Sequence, residues 1–447
     1  MSQPTTVPLP ANGASVASLA HRARLASRAL ARLSLKTRNE VLVAAAKEIE
    51  EGSQRILEAN ERDCAAAEPE VVAGKMSSAM WNRLRLTEKG IAQMTAQVRD
   101  VACLGDPLGH RLAATELDDG LILYRESCPL GVIGVIFESR PDVVTQLASL
   151  ALKSGNALIL KGGSEAAQTS AALVSIWRDC LARFPAVPED SIHLLHSRSD
   201  VMELLCQDRD VDLMIPRGSY DLVHFIRKHS RIPVLGHGEG ICHVYVDRAA
   251  DIEKATDITY DSKVQYPAVC NAAETLLVHE AIAPDFLPKI VTKLKEAGVE
   301  IRGDGKTRAL LPGASIVPAT EKDWATEYSD LILSIKVVAD LDEAIEHINS
   351  YGSHHTDAIV TENAGAAQRF MNEVDSAGVY QNASTRFADG YRYGFGAEVG
   401  ISTGKLHARG PMGLEGLTTY KYKLYGDGHT VAQYVQGDKR LKHRPID

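Results

Sequence analysis

From about Ser15 to Cys103 the apolar positions recur at helical spacing. Leu25, Leu30, Leu33, Val41 and Val43 form one run. Ile49, Ile56, Leu57 and Ala59 continue it, and Leu84, Leu86, Ile91 and Val98 mark another. Such spacing gathers apolar side chains on one face and predicts amphipathic helices. The stretch before it, from Met1 to about Ser15, is rich in Pro, Thr and Ser and is expected to be loose. Residues 121–126 depart from the surrounding pattern and predict a strand outside the main sheet, an arm.

A strand–helix alternation then begins. It predicts a buried strand over 132–137, a helix over 141–154 stopped by Gly155, and a strand over 157–160. A helix over 164–181, capped by Ser164, follows, with further strands at 192–195, 211–215 and 232–235. A second alternation starts at His243, with strands at 243–246, 274–278, 331–338, 357–361 and 378–380. Its helices are expected around 283–296, 341–350 and 364–374. Alternation of this kind predicts parallel sheets covered on both faces. The glycine-dense stretch 391–419 allows close backbone approach to a ligand or a second chain. Residues 418–425 predict an extended segment that pairs with the 121–126 arm.

The length of 447 residues fits two or three domains. A formal charge of −9 leaves no basic surplus to neutralise phosphates and argues against nucleic-acid binding. The seven cysteines form no CxxC pair and their number is odd. That disfavours a disulfide framework or structural zinc and fits a reducing cytosol, hence a cytoplasmic protein. No apolar run reaches ~18 residues, so no membrane span is expected. The N-terminus lacks acidic residues before Glu40, as a transit peptide would, but its helical apolar spacing favours a structural helix.

The chemistry centres on Cys270, in Tyr266-Pro-Ala-Val-Cys270-Asn271, between a proline that breaks the preceding helix and an apolar run. A cysteine there is either a nucleophile facing a cleft or a small core residue. Leu160-Lys161-Gly162-Gly163-Ser164 places a lysine at a strand end and a serine at a helix start, an anion site or an ordinary turn. No GxGxxG follows the 132–137 strand. Gly236-His-Gly238-Glu239-Gly240 precedes a strand and is a weak nucleotide loop. His354-His355-Thr356-Asp357 suggests metal, but a polar strand entry is the better reading, since no third ligand sits at a recognisable spacing. No metal is expected.

Together these stretches resemble the γ-glutamyl phosphate reductase family. The resemblance is carried by Phe137-Glu-Ser139-Arg140-Pro141, Cys270-Asn271-Ala-Ala-Glu274-Thr, and Ala344-Ile-Glu-His347 through Tyr351-Gly352-Ser353-His-His355-Thr356-Asp357. Asn382-Ala-Ser-Thr-Arg386-Phe, Gly396-Ala-Glu398-Val-Gly400 and His407-Ala-Arg409-Gly-Pro continue it, in the family's order, from about Ala20 to Tyr420. No glutamate kinase lobe like that of the fused plant and animal enzymes is read in this sequence, so a free-standing reductase is expected. The resemblance implies an aldehyde-dehydrogenase-like α/β fold with a Rossmann-like cofactor lobe, a catalytic lobe and a β-arm that joins subunits. The expected domains are NADPH-binding at 1–115 and 130–245, catalytic at 246–410, and an arm at 116–129 and 411–447.

The implied reaction reduces L-glutamyl 5-phosphate to L-glutamate 5-semialdehyde with NADPH, in L-proline biosynthesis. Cys270, followed by Asn271, is the implied catalytic nucleophile that forms a thioester; Lys263 is either its cationic neighbour or, preferably, a solvated helix-face residue. Ser139 stands where related dehydrogenases carry an oxyanion-stabilising asparagine. Arg140 is the leading candidate for the substrate's phosphate or α-carboxylate, ahead of Arg386 and Arg409. Lys161 and Ser164 would face the adenosine ribose; a serine where NAD users often carry glutamate favours NADPH. Gly218 and Ser219 match a pyrophosphate contact and Glu327 a residue near the nicotinamide ribose. Glu239 is offset from the base of hydrolytic relatives, so that role is not carried over. A homo-oligomer of at least two chains is implied, and a glutamate 5-kinase is a candidate partner. The alternatives are a hydrolytic aldehyde dehydrogenase with Glu239 as base, and a non-catalytic binding protein of the same fold.

Overall fold

The computed structural model describes residues 15–446 except 75 and 77; the loose N-terminal stretch expected from the sequence falls almost wholly on 1–14, outside the described residues. Two compact units form. One comprises Met1–Gly218, Phe225–Val234 and Leu417–Asp447, the other Ser219–His224 and Leu235–Gly416.

The first unit opens with α1 (Val16–Leu30), α2 (Leu35–Glu51), α3 (Ser53–Val72), α4 (Ser78–Leu84) and α5 (Glu88–Cys103). Leu30, Val41, Ile49, Ile56, Leu84, Ile91 and Val98 are buried along their predicted stripes. A hairpin of β1 (Arg111–Asp118) and β2 (Leu121–Pro129) follows. The alternation then builds β3 (Val132–Phe137), α6 (Asp142–Lys153), β4 (Ala157–Lys161), α7 (Ala167–Leu181), β5 (Ile192–Leu194), α8 (Arg198–Leu204) and β6 (Leu213–Arg217). The four strands pair in parallel in the order β5-β4-β3-β6. Every residue of β3 is buried, as a two-faced parallel strand requires.

Two local expectations are corrected. Ser164 does not cap a helix over 164–181. A 3-10 turn occupies Ser164–Ala166, and α7 starts at Ala167. Its first amides are held instead by Asp63 from α3, which accepts from Gln168 N, Thr169 N and the Thr169 hydroxyl at 3.1, 2.8 and 2.6 Å. A carboxylate at a helix N-terminus satisfies both the open N–H groups and the dipole. Residues 232–235 form no strand, only an isolated bridge between Met214 and Val234. Pro233 lacks an N–H and cannot donate to a ladder.

Helix α9 (Tyr220–His229) leads into the second unit. There β7 (Cys242–Val246), α10 (Ile252–Val264), β8 (Ala273–His279), α11 (Ala283–Glu296), β9 (Glu300–Gly303), α12 (Gly305–Leu310), β10 (Val317–Pro318) and α13 (Glu321–Trp324) come first. β11 (Ile332–Val338), α14 (Leu341–Tyr351), β12 (Thr356–Val360), α15 (Ala364–Glu373) and β13 (Gly378–Gln381) complete a sheet ordered β10-β9-β11-β8-β7-β12-β13. All its pairings are parallel. Phe286, Leu287, Ile290 and Leu294 of α11 bury against Leu276 and Val278 of β8 and Leu333, Ile335 and Val337 of β11. β14 (Gly400–Ser402) and β15 (Gly410–Met412) form a small antiparallel pair.

The arm returns at the end of the chain. β16 (Thr418–Tyr425) pairs antiparallel with β2, from Thr418 opposite Pro129 to Tyr425 opposite Ile122, as the pattern predicted. β17 (Arg444–Pro445) adds to β1. β1 escaped the sequence reading because it has hardly any buried face to pattern; only Asp118 is buried. Among the described residues no helix is long and apolar enough to cross a membrane.

Candidate active site

In the second unit, Cys270 sits half-exposed in the turn between α10 and β8. Its backbone is pressed from one side by Gly240: a Cβ there would stand 2.1 Å from Cys270 O and 2.5 Å from its Cα. Only glycine leaves that space. The same carbonyl accepts from the buried Cys242 thiol at 3.3 Å. Burial pushes that thiol well above the ordinary range, helped by nearby Asp357 and Cys270, so Cys242 stays protonated.

Lys263 is not a solvated helix-face residue. It and Glu274 are 0 % and 1 % exposed and meet at 2.6 Å. The last turn of α10 faces the start of β8, which turns the lysine inward. Burial pushes the Glu274 carboxyl up to about 7 and lowers Lys263, each opposed by its partner's charge. Glu274 also accepts from Ser329 N at 3.2 Å.

The turn at 384–388 is tied to the same place. Asn271 donates its amide to Ala388 O at 2.8 Å, and its own carbonyl accepts from the Thr385 hydroxyl at 2.7 Å. The Ser262 hydroxyl bonds Ser384 and receives Thr385 N. This clamp carries Arg386, which is buried and donates to Gln265 at 3.0 Å. Burial lowers its pKa, with Arg392, while Asp389 and Cys270 pull the other way. Arg409 stands elsewhere, donating to the Asp375 carbonyl and carboxylate.

Two histidines join Cys270. Atoms of His237, Cys270 and His355 able to bind a metal lie within 4.8 Å of one another. His354, its sequence neighbour, turns away to Asp375 O at 2.6 Å. Beside them Glu327 accepts from Gly240 N at 2.9 Å. Burial raises the half-buried Glu239 carboxyl, and Glu327 raises it further.

The other candidates lie on the first unit or at its edge. Lys161 ends β4 half-buried and donates to Gly162 O at 2.7 Å; burial lowers its pKa. Ser164 is exposed. Ser139 is buried at φ 44°, a left-handed conformation that costs a non-glycine residue. Both its N–H and its hydroxyl donate to Glu165 Oε1, at 2.7 and 2.8 Å. Arg140 next to it is exposed and 3.8 Å from Asp142. Gly218 and Ser219 are exposed where β6 meets α9, and the Ser219 hydroxyl accepts from Leu222 N.

So the fold brings Cys270, Asn271 and the segment of Arg386 together, with Glu327 bonded to the Gly240 loop. His355 was weighed as a metal ligand and set aside for want of further ligands, which His237 and Cys270 supply from other segments; the Ser262–Thr385 clamp was missed. The clamp's only sequence signal was polar residues at a helix end and in a serine-rich turn.

The aldehyde dehydrogenase family model matches residues 5–316. A "Gamma-glutamyl phosphate reductase" of Synechococcus sp. is 56% identical over 423 residues, 94% of this chain and 92% of that one. Its counterpart from Natronomonas pharaonis is 54% identical over 95% of this chain and 96% of that one. The crystal structure of γ-glutamyl phosphate reductase from Thermotoga maritima superposes with a TM-score of 0.90 at 44% identity, covering 93% of this chain and 100% of the other. The chain belongs to the γ-glutamyl phosphate reductases. It is thus an oxidoreductase of the aldehyde dehydrogenase family, and the aldehyde-dehydrogenase-like α/β architecture expected from its motifs is the one it has.

Proposed function

We propose that this chain reduces L-glutamyl 5-phosphate to L-glutamate 5-semialdehyde and phosphate with NADPH, through a thioester on Cys270, as a step of L-proline biosynthesis. The observation that carries the reading is a half-exposed Cys270 in a turn clamped on several sides, one of them the segment that bears Arg386. The Cys270 thiolate attacks the acyl carbon; the S–C bond forms as the C–O bond to phosphate breaks. Arg386 is the better-placed cation of the second unit for the phosphate or the α-carboxylate, with Arg409 held on Asp375 and Arg140 on the first unit. The clamp of Asn271, Thr385 and Ala388 holds the turn still, as positioning demands.

The residues fit a nicotinamide dinucleotide with a 2′-phosphate. Lys161 offers a cation and Ser164 an exposed hydroxyl, while the next carboxylate, Glu165, is turned onto Ser139 and its Oε1 is already engaged. Lys161 and Ser164 would hold the adenosine ribose phosphate, Gly218 and Ser219 the pyrophosphate, and Glu327 the nicotinamide ribose. When bound, the cofactor supplies the hydride that converts the thioester to the aldehyde. Because Ser139 gives its hydroxyl to Glu165, the oxyanion donors are assigned to main-chain N–H groups around Cys270.

The division into NADPH-binding, catalytic and arm regions, a cytoplasmic location, an oligomer joined through β2 and β16, and contact with a glutamate 5-kinase belong to the same proposal. A second reading, hydrolysis of the thioester with Glu239 as base, is favoured by the raised Glu239 carboxyl next to Gly240. One assay separates them: oxidation of glutamate 5-semialdehyde with NADP or NAD, with and without phosphate. Strict phosphate dependence and preference for NADP support the reductase. Equal rates without phosphate would establish the hydrolytic enzyme.

A further inference from the structure

The donor atoms of His237, Cys270 and His355 converge from three separate segments: the loop before β7, the turn before β8 and the loop before β12. His355 is 1 % exposed. Its Nδ1 lies 2.9 Å from the Thr356 hydroxyl and 3.7 Å from the Cys242 sulfur, while its Nε2 is buried with no hydrogen-bond partner. A buried ring nitrogen without a partner is a signal that something else fills its place. His237 places Nδ1 3.1 Å from Ile401 O. A carbonyl only accepts, so Nδ1 carries the proton. That is the tautomer of a metal-bound histidine, with a carbonyl orienting the ring.

We propose that His237, Cys270 and His355 form a reversible site for one divalent cation of the zinc class, which when filled takes the Cys270 sulfur out of action. One thiolate and two imidazoles suit Zn²⁺ or Co²⁺ rather than Mg²⁺ or Ca²⁺. Binding forms a metal–sulfur bond and releases the thiol proton to solvent. Three protein ligands leave a coordination position for water. Three protein ligands and an open position mark a site that exchanges its ion, unlike the closed four-ligand sites of structural zinc. Binding itself needs only the cluster; the inhibitory consequence rests on the reading of Cys270 as nucleophile.

The test titrates chelator-treated, reduced protein with Co²⁺ alone and follows the near-ultraviolet thiolate-to-cobalt charge-transfer band. A band that saturates at one equivalent, is displaced by Zn²⁺ and is absent in Cys270→Ser supports the site. His237→Ala, at a half-exposed position, and His355→Asn, close in shape, each weaken binding by ~10-fold or more. Bound Zn²⁺ also shields Cys270 from iodoacetamide, read by mass spectrometry. No band, or a band unaffected in both histidine variants, overturns the site. Saturation of the band in an enzyme whose semialdehyde oxidation continues undiminished leaves the metal site standing and removes Cys270 from the mechanism.

Discussion

Lys263 and Glu274, joined at 2.6 Å and sealed from water, bracket Cys270 in the chain. One closes α10, the other opens β8, and the nucleophile's turn is strung between them. Removing one partner strands a charge in the interior, whereas removing both is far milder. Lys263→Met is expected to lower stability by about 3 kcal/mol in urea denaturation, and adding Glu274→Leu is expected to recover most of it. An additive double loss would show that the pair is not coupled.

Cys270→Ser should fold with an unchanged melting temperature and lose glutamate-semialdehyde oxidation by ~1,000-fold or more. Serine keeps the size of the side chain and lacks the ionisable thiol. Near-normal turnover would exclude the thioester.

Gly240→Ala tests the close approach beneath the nucleophile. An added methyl 2.1 Å from Cys270 O cannot be accommodated without moving the turn. A displacement of that kind is expected to reduce kcat by about 100-fold, with a smaller effect on cofactor affinity measured by fluorescence titration. Wild-type kcat would show that the turn shifts without consequence.

Lys161→Ala should raise KM for NADPH by ~10-fold or more and leave KM for NADH nearly unchanged, because only the former brings a 2′-phosphate to the ammonium group. Equal losses with both cofactors would assign Lys161 to the shared part of the dinucleotide.

His347 is expected to make stability depend on pH. Burial lowers its pKa to about 2, reinforced by His243 and by Lys336, whose ammonium is 3.3 Å away. The unfolded chain takes up this proton near 6.5, the folded one does not. The group's contribution is therefore complete above 6.5 and lost as pH falls, by up to about 1.4 kcal/mol per pH unit. His347→Gln should flatten the acid limb of stability measured between pH 6.5 and 5; an unchanged slope would place the titration elsewhere.

Much of the architecture was legible in the order of residues. A buried parallel strand such as β3 is a continuous apolar run, and α11 carries a stripe of Phe286, Leu287, Ile290 and Leu294, because burial selects apolar side chains position by position. The pairing of 418–425 with the 121–126 arm followed from two leftover extended segments. Cys270 itself stood out because a proline and an apolar run frame it. The surroundings of that cysteine were decided only in three dimensions. Lys263 looked like a surface residue, Ser164 like a helix cap, and His355 like a strand entry without further ligands. Each was reversed or completed by a residue distant in sequence: Glu274, Asp63, and the pair His237 and Cys270. Hydrophobic pattern is a local record of burial, but hydrogen bonds, ion pairs and donor clusters depend on which distant segments the sheet brings side by side, and no spacing along the chain encodes that.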